Sequence, residues 1–234
     1  MKQILRNMSL VMVAMTLVFS SCEDDLDGSG NVNGHEYVDL GLPSGTKWAT
    51  RNVGASLESI RGDYYAWGEI KDTYFYTNSS RTYHGKVDIT AQQKNCCTYG
   101  KRISNISGNV KYDVARANWG GSWRMPTKEE MTELVIKCNW TWTTQIEKGL
   151  FKNFETKVPG YKVTGPNGNS IFLPVGGCSP DDWGDCRPDM GYYWSSTPLE
   201  NDNYRAYYLS FGSSGYGVND FMRPEGLLIR PVSD

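Results

Sequence analysis

Residues Trp119 to Glu130 (WGGSWRMPTKEE) narrow what this chain can become more than any other stretch. Gly120 and Gly121 carry no Cβ, so the backbone can turn sharply and pack closely between two indole rings, Trp119 and Trp123. Arg124 follows with a planar five-donor fork. Pro126 fixes its own φ just before Thr127, whose hydroxyl can cap a helix while Glu130 reaches back to complete a capping box. The spacing predicts a helix from this point. Its apolar positions Met131, Leu134, Val135 and Cys138 fall at i, i+3, i+4 and i+7, one face packed on a core. Upstream, Asp113 to Asn118 (DVARAN) predicts a helical turn with Val114 and Ala115 buried.

The run WGGSWRMPTKEEMTEL, with the later GYYWSST (Gly191 to Thr197) and LLIRPV (Leu227 to Val232), resembles the Fibrobacter succinogenes major paralogous domain family of Bacteroidetes lipoproteins. The resemblance covers Glu36 to Val232. It implies an α+β, C-type lectin-like fold: short antiparallel sheets, one or two helices and long loops. A more distant resemblance links the arginine, proline, threonine and acidic run to the formylglycine-generating enzymes. The resemblance also implies that Arg223 and Arg230 brace the fold, and it places Arg51 where relatives often carry a cysteine.

At the amino end, Lys2 and Arg6 precede an apolar run, Leu10 to Phe19, too short to span a bilayer and closing on FSSC. This predicts a lipoprotein signal over residues 1–21 and lipidation at Cys22. Glu23, Asp24, Asp25 and Asp27 follow, an acidic start that serves either as an outer-leaflet address or as a solvated linker. Gly28 to Gly34 (GSGNVNG) predicts a flexible tether, making residues 22–34 a linker and 35–234 a single domain. The expected location is the outer membrane, at the cell surface, with the lipid as the membrane contact.

Charge constrains the partners. With 24 Lys plus Arg against 26 Asp plus Glu, the net charge of −2 disfavours nucleic acid. The 8 Trp, 15 Tyr and 25 Gly suit a loop-rich extracellular binding domain, although the tryptophans read mainly as core.

Along the body, Glu36 to Leu40 predicts a short strand, GLPSG a turn, and Asp63 to Glu69 (DYYAWGE) a second strand with Tyr65 and Trp67 on one face. Lys71 to Asn109 is an irregular surface excursion rich in tyrosine, including Tyr74, Tyr76 and Tyr83. Adjacent Cys96 and Cys97 cannot easily bond to each other, so one of them can pair with Cys138. Cys138 to Trp142 and Phe151 to Val158 predict sheet. Tyr161 to Thr164 and Ser170 to Leu173 flank GPNGN as a hairpin, with Asn167 and Gly168 tolerating positive φ and Pro174 ending the second strand.

Val175 to Met190 holds Cys178 and Cys186 seven residues apart between them, and export favours a local disulfide. Calcium on Asp181, Asp182, Asp185 and Asp189 is the alternative for this loop. No metal and no cofactor is assigned. The Glu-Pro-Asn and Trp-Asn-Asp signatures of calcium-dependent sugar binding do not occur.

Three strands, Gly191 to Thr197, Arg205 to Phe211 and Leu227 to Val232, enclose two segments that read as loops, Pro198 to Tyr204 (PLENDNY) and Gly212 to Met222 (GSSGYGVNDFM). Their Asn, Asp, Ser, Gly and Tyr combine adaptable hydrogen bonding with rigid aromatic contact. Asn201, Asp202, Asn203, Tyr204, Tyr207, Tyr216, Asn219 and Asp220 are the expected binding residues, and the expected ligand is an extracellular glycan or protein. Catalysis is not expected: His35 and His84 stand far apart, and no Gly-x-Ser-x-Gly elbow occurs. The expected function is adhesion or ligand binding, with a structural subunit of a surface assembly as the alternative and a formylglycine-generating-like enzyme a more remote one.

Overall fold

The computed structural model describes residues 28–58, 60–71, 96–148, 155–178 and 187–234. Among these, three small antiparallel sheets and two helices make a mainly β, α+β architecture. The first sheet runs β1 (Ser29–Val32), β2 (His35–Asp39), β3 (Lys47–Ala49) and β10 (Val232–Ser233), so the first and last described strands lie in one sheet. The second runs β4 (Asn139–Lys148), β5 (Glu155–Thr164) and β6 (Ser170–Pro174). The third runs β7 (Gly191–Pro198), β8 (Arg205–Gly212) and β9 (Gly215–Met222).

The glycine–tryptophan motif forms as its residues dictate. Helix α1 (Val114–Trp119) is capped by the Asp113 carboxylate, which accepts from Arg116 N–H at 3.0 Å, and it ends on Gly120 at φ +67°. Gly121 is also at positive φ, +56°, and a Cβ there would crowd Asn33 and Val32 at 3.2–3.3 Å. Trp119 and Trp123 meet edge to face at 5.1 Å, and His35 stacks on Trp119 at 3.8 Å.

Helix α2 (Lys128–Lys137) opens on the predicted capping box. The Thr127 hydroxyl accepts from Glu130 N–H at 3.2 Å and the Glu130 carboxylate accepts from Thr127 N–H at 2.8 Å. Arg124 grips the same carboxylate with both guanidinium nitrogens, at 2.6 and 2.9 Å. Burial pushes the Glu130 carboxyl up, yet the Arg124 fork and the Thr127 N–H outweigh it and hold it below its usual range. Met131 and Leu134 are fully buried, Val135 partly, and Cys138 closes the helix as its C-cap.

Leu227 to Val232 is the spine of the molecule rather than one strand. Leu227 and Ile229 enter one hydrophobic cluster with Trp67, Trp119, Trp123 and Trp194, whereas Leu228 and Val232 enter a second with Trp48, Met131, Leu134 and Phe211. The backbone bonds change partner along it: Leu227 with Tyr65, Leu228 with Tyr192 and Trp194, Ile229 with Val53, and Pro231 with Ala49. Arg230 between them is buried and donates to Ala49 C=O, Phe172 C=O and Asn52 Oδ1, each at 2.8 Å.

Several expectations change. Ser29–Val32 is not tether: it pairs with His35–Val38 across a turn in which Asn33 and Gly34 take positive φ, so the folded body begins before residue 35. Polar composition hid this strand, and Trp123 Nε1 donating to Val32 C=O at 2.7 Å helps hold it. Asp63 to Glu69 forms no strand, because Asp63, Tyr65 and Trp67 donate to Val53, Leu227 and Arg223 in turn, three partners that share no ladder. Its alternation still sorts side chains, Tyr65 and Trp67 into one cluster and Tyr64 into the other. In the GPNGN turn only Gly168 takes positive φ, +91°, while the Asn167 side chain ties the turn to Asp39 C=O at 2.9 Å. Gly215–Met222, expected as a loop, is strand β9 in unbroken register with β8.

Candidate functional site

The hairpin of β8 and β9 carries most of the expected binding residues, and its length separates them. Arg205 pairs with Met222 at one end and Gly212 with Gly215 at the other. Tyr204 therefore stands about 24 Å from the rung of Tyr216, seven residues at roughly 3.4 Å each. Asn219 and Asp220, adjacent in the strand, face opposite ways. Asn219 donates to Ser210 Oγ at 2.9 Å, whereas Asp220 pairs with the Arg205 guanidinium on the face that carries Tyr207. Tyr207 is half-buried beneath Lys128 Nζ, 3.9 Å from the ring centroid.

The near end is a cleft of about 530 Å³. The Pro198–Asn203 loop forms one wall, Arg102 and Ile103 another, and Arg223 lies at its base. The loop holds itself in shape. Leu199 N–H donates to Arg205 C=O at 3.1 Å, Asn201 sits at φ +60°, and the Asp202 carboxylate accepts from Tyr204 and Arg205 N–H at 2.6 and 3.1 Å. Asp202 is thereby occupied by its own backbone. Glu200, Asn201, Asn203 and Arg102 remain exposed, and Tyr204 is 49% exposed with its ring edge to face against Tyr99 at 5.0 Å.

Arg223 sets the position of this loop. It is 1% exposed and among the described residues pairs with no carboxylate; instead it donates to four carbonyls, Thr98 at 3.0 Å, Lys101 at 2.9 Å, Arg205 at 3.1 Å and Asp202 at 3.3 Å. Its guanidinium lies 4.5 Å over the Trp67 ring. Burial pulls its pKa below the ordinary arginine value. The expected bracing role fits these contacts, and the residue braced is the cleft wall itself.

At the far end, Tyr216 is 41% exposed and stacks on Trp140 at 4.3 Å, with Tyr161 edge-on at 5.4 Å. Trp140 and Trp142 are only partly buried, unlike Trp48, Trp67, Trp119, Trp123 and Trp194. Sequence reasoning put the tryptophans in the core and missed this surface, as it missed Arg102 and Ile103. The alternation of Asn139 to Trp142 marked a strand but not which face would be left open.

The cysteines differ from expectation. Cys96, Cys97 and Cys138 are all free, so no bridge joins the first two to Cys138. Burial first, and Glu69 second, pushes the Cys97 thiol up to about 12, while burial and Glu133 push Cys138 up to about 11. Both stay protonated at neutral pH and are poor nucleophiles. Cys178 is disulfide-bonded and buried. Cys186 lies outside the described residues, as do Cys22, His84, Tyr74, Tyr76, Tyr83, Asp181, Asp182 and Asp185. Asp189 is described and exposed, bound to Arg187 at 2.6 Å. Among the described residues no group of three His, Cys, Asp or Glu could hold a metal ion.

No family model, no curated protein and no solved structure matches this chain.

Proposed function

We propose that the chain is a surface-anchored binding lipoprotein that takes an extracellular glycan or protein ligand in the cleft beside Pro198–Asn203. One observation carries the reading: a polar, solvent-open cleft whose wall is an irregular loop fixed from beneath by a buried arginine. Such a loop presents Glu200, Asn201, Asn203 and Tyr204 with little ordering left to do on binding. The separation of Tyr204 from Tyr216 favours the cleft end over a single site spanning the hairpin. Anchoring rests on the amino-terminal signal pattern and Cys22; among the described residues no helix is long and apolar enough to cross a membrane.

The C-type lectin-like and Fibrobacter major paralogous assignments belong to this proposal. They draw support from the three short antiparallel sheets, the two helices and the long connections, which is the architecture the resemblance implies.

The test is a glycan and host-protein array with the full chain, followed by Asn201→Gly, which keeps the left-handed backbone, with Asn203→Ala, and separately Tyr204→Ala and Tyr216→Ala. The double asparagine variant and Tyr204→Ala should each weaken retention at least tenfold, about 1.4 kcal/mol, with melting unchanged. Tyr216→Ala should bind as the parent does. Full retention by the folded cleft variants would move the site elsewhere.

A further inference from the structure

Among the described residues, strand β9 is the outer strand of its sheet, paired with β8 on one side only. The tight turn at Ser213–Ser214 sets Gly212 opposite Gly215. In an antiparallel hairpin closed this way, the residues hydrogen-bonded to β8 are Gly215, Gly217, Asn219 and Phe221. Arg223 N–H donating to Tyr204 C=O at 2.9 Å continues the same alternation. The backbone groups of Tyr216, Val218, Asp220 and Met222 therefore point away from the sheet. Met222 C=O accepts from Glu225 N–H at 3.1 Å and Asp220 C=O from Arg205 Nη2 at 3.0 Å. The N–H and C=O of Tyr216 and Val218, and the N–H of Asp220, have no partner among the described residues.

Open edges are normally blunted by prolines, bulges, charges or short length. Strand β6 ends on Pro174, β1 has four residues, and β7 shifts register between Trp194 and Pro198 and is bridged to Leu228, while β4, an equally regular edge of ten residues, ends on the charged pair Glu147 and Lys148. Strand β9 runs eight residues in register with β8, without proline or bulge, and its single charge, Asp220, is already tied to Arg205.

We propose that β9 joins two copies of this chain, paired antiparallel about Val218 into one six-stranded sheet. The same strand turned by a two-fold axis complements this edge, because its outward rungs recur at 216, 218 and 220. Val218 then meets the partner's Val218, and the exposed Tyr216 meets the partner's Asp220, a phenol donor against a carboxylate. A Cβ at Gly215 or Gly217 would meet nothing within 4 Å, so the face opposite helix α2 is bare near the turn, while Val218 rests on the second cluster. The dimer would carry a cleft at the far end of each hairpin, away from the junction.

Analytical ultracentrifugation of the full chain in mild detergent, from about 1 to 100 µM, tests this against the µM range of modest interfaces. The expected result is a reversible monomer–dimer equilibrium. Val218→Pro removes an outward N–H while leaving the bonds to β8 intact, so the variant should fold and dimerise about tenfold more weakly, the loss expected for two hydrogen bonds per dimer. If that variant fails to fold, Val218→Lys keeps the backbone and places two ammonium groups opposite each other, with the same expected loss. A parent that stays monomeric throughout overturns the proposal, and leaves the edge to a different polypeptide. So does a dimer untouched by whichever variant folds.

Discussion

Glu225 sits in an environment that a carboxylate disfavours. It is 1% exposed, its Oε2 has no hydrogen-bond partner, and burial alone pushes its carboxyl up to about 8 from 4.5. The folded state therefore binds this proton more tightly than the unfolded chain does. Stability should fall as pH rises from about 4.5 to about 8 and be level above. Glu225→Gln keeps the shape and removes the charge, so it should raise stability at pH 9 by on the order of 3–5 kcal/mol and change little at pH 4. Denaturant midpoints of both proteins across that range decide it; an equal difference at both ends would rule the ionisation out. The buried Arg223 and Arg230 are tolerated for the opposite reason, since each guanidinium donates to several carbonyl or amide oxygens that replace its lost hydration. Sequence alone marked those arginines only through a resemblance, and it said nothing of Glu225.

Helix α2 was legible because its signals are local. Thr127, Glu130 and the four apolar positions lie within twelve residues, and the capping box forms as written. What the sequence could not show is that Glu130 is shared. Its carboxylate also serves Arg124 and the Thr46 hydroxyl, the latter at 3.0 Å. Thr127→Ala should therefore cost about 1 kcal/mol, whereas Glu130→Ala should cost about 3 kcal/mol by leaving a largely buried arginine with only the exposed Asp234 as its carboxylate partner. Urea unfolding of the two variants would measure the difference; equal losses would mean that the cap is all Glu130 contributes. Strand β9 was illegible for a converse reason. Gly215, Gly217, Asn219 and Asp220 are poor strand formers, and only pairing with β8 makes them extended.

Across the whole molecule, the two hydrophobic clusters meet along Leu227–Val232, and the first sheet is closed by the last strand. Cys178, four residues past β6, is disulfide-bonded. Non-reducing peptide mapping should place Cys186 as its partner, with Cys96, Cys97 and Cys138 recovered as thiols. Finding Cys178 joined to any of those three would refute both the pairing and the geometry around them. At the same scale, Cys22→Ala should release the chain from membranes or leave its precursor unprocessed, as seen by fractionation.

What depends on near neighbours was legible in the sequence: the capped helix, the glycine turn between Trp119 and Trp123, the β5–β6 hairpin, and the loop at Pro198–Tyr204. These are set by φ preferences and side-chain reach within a few residues. Only the tertiary structure decided which aromatic rings stay exposed, that residues 29–32 join the first sheet, that β9 is a strand, and that the cleft has Arg102 and Ile103 as its second wall. Each of those depends on partners far away in the chain, such as Trp123 for Val32 and Arg223 for Thr98 and Lys101, and no local pattern encodes such pairings.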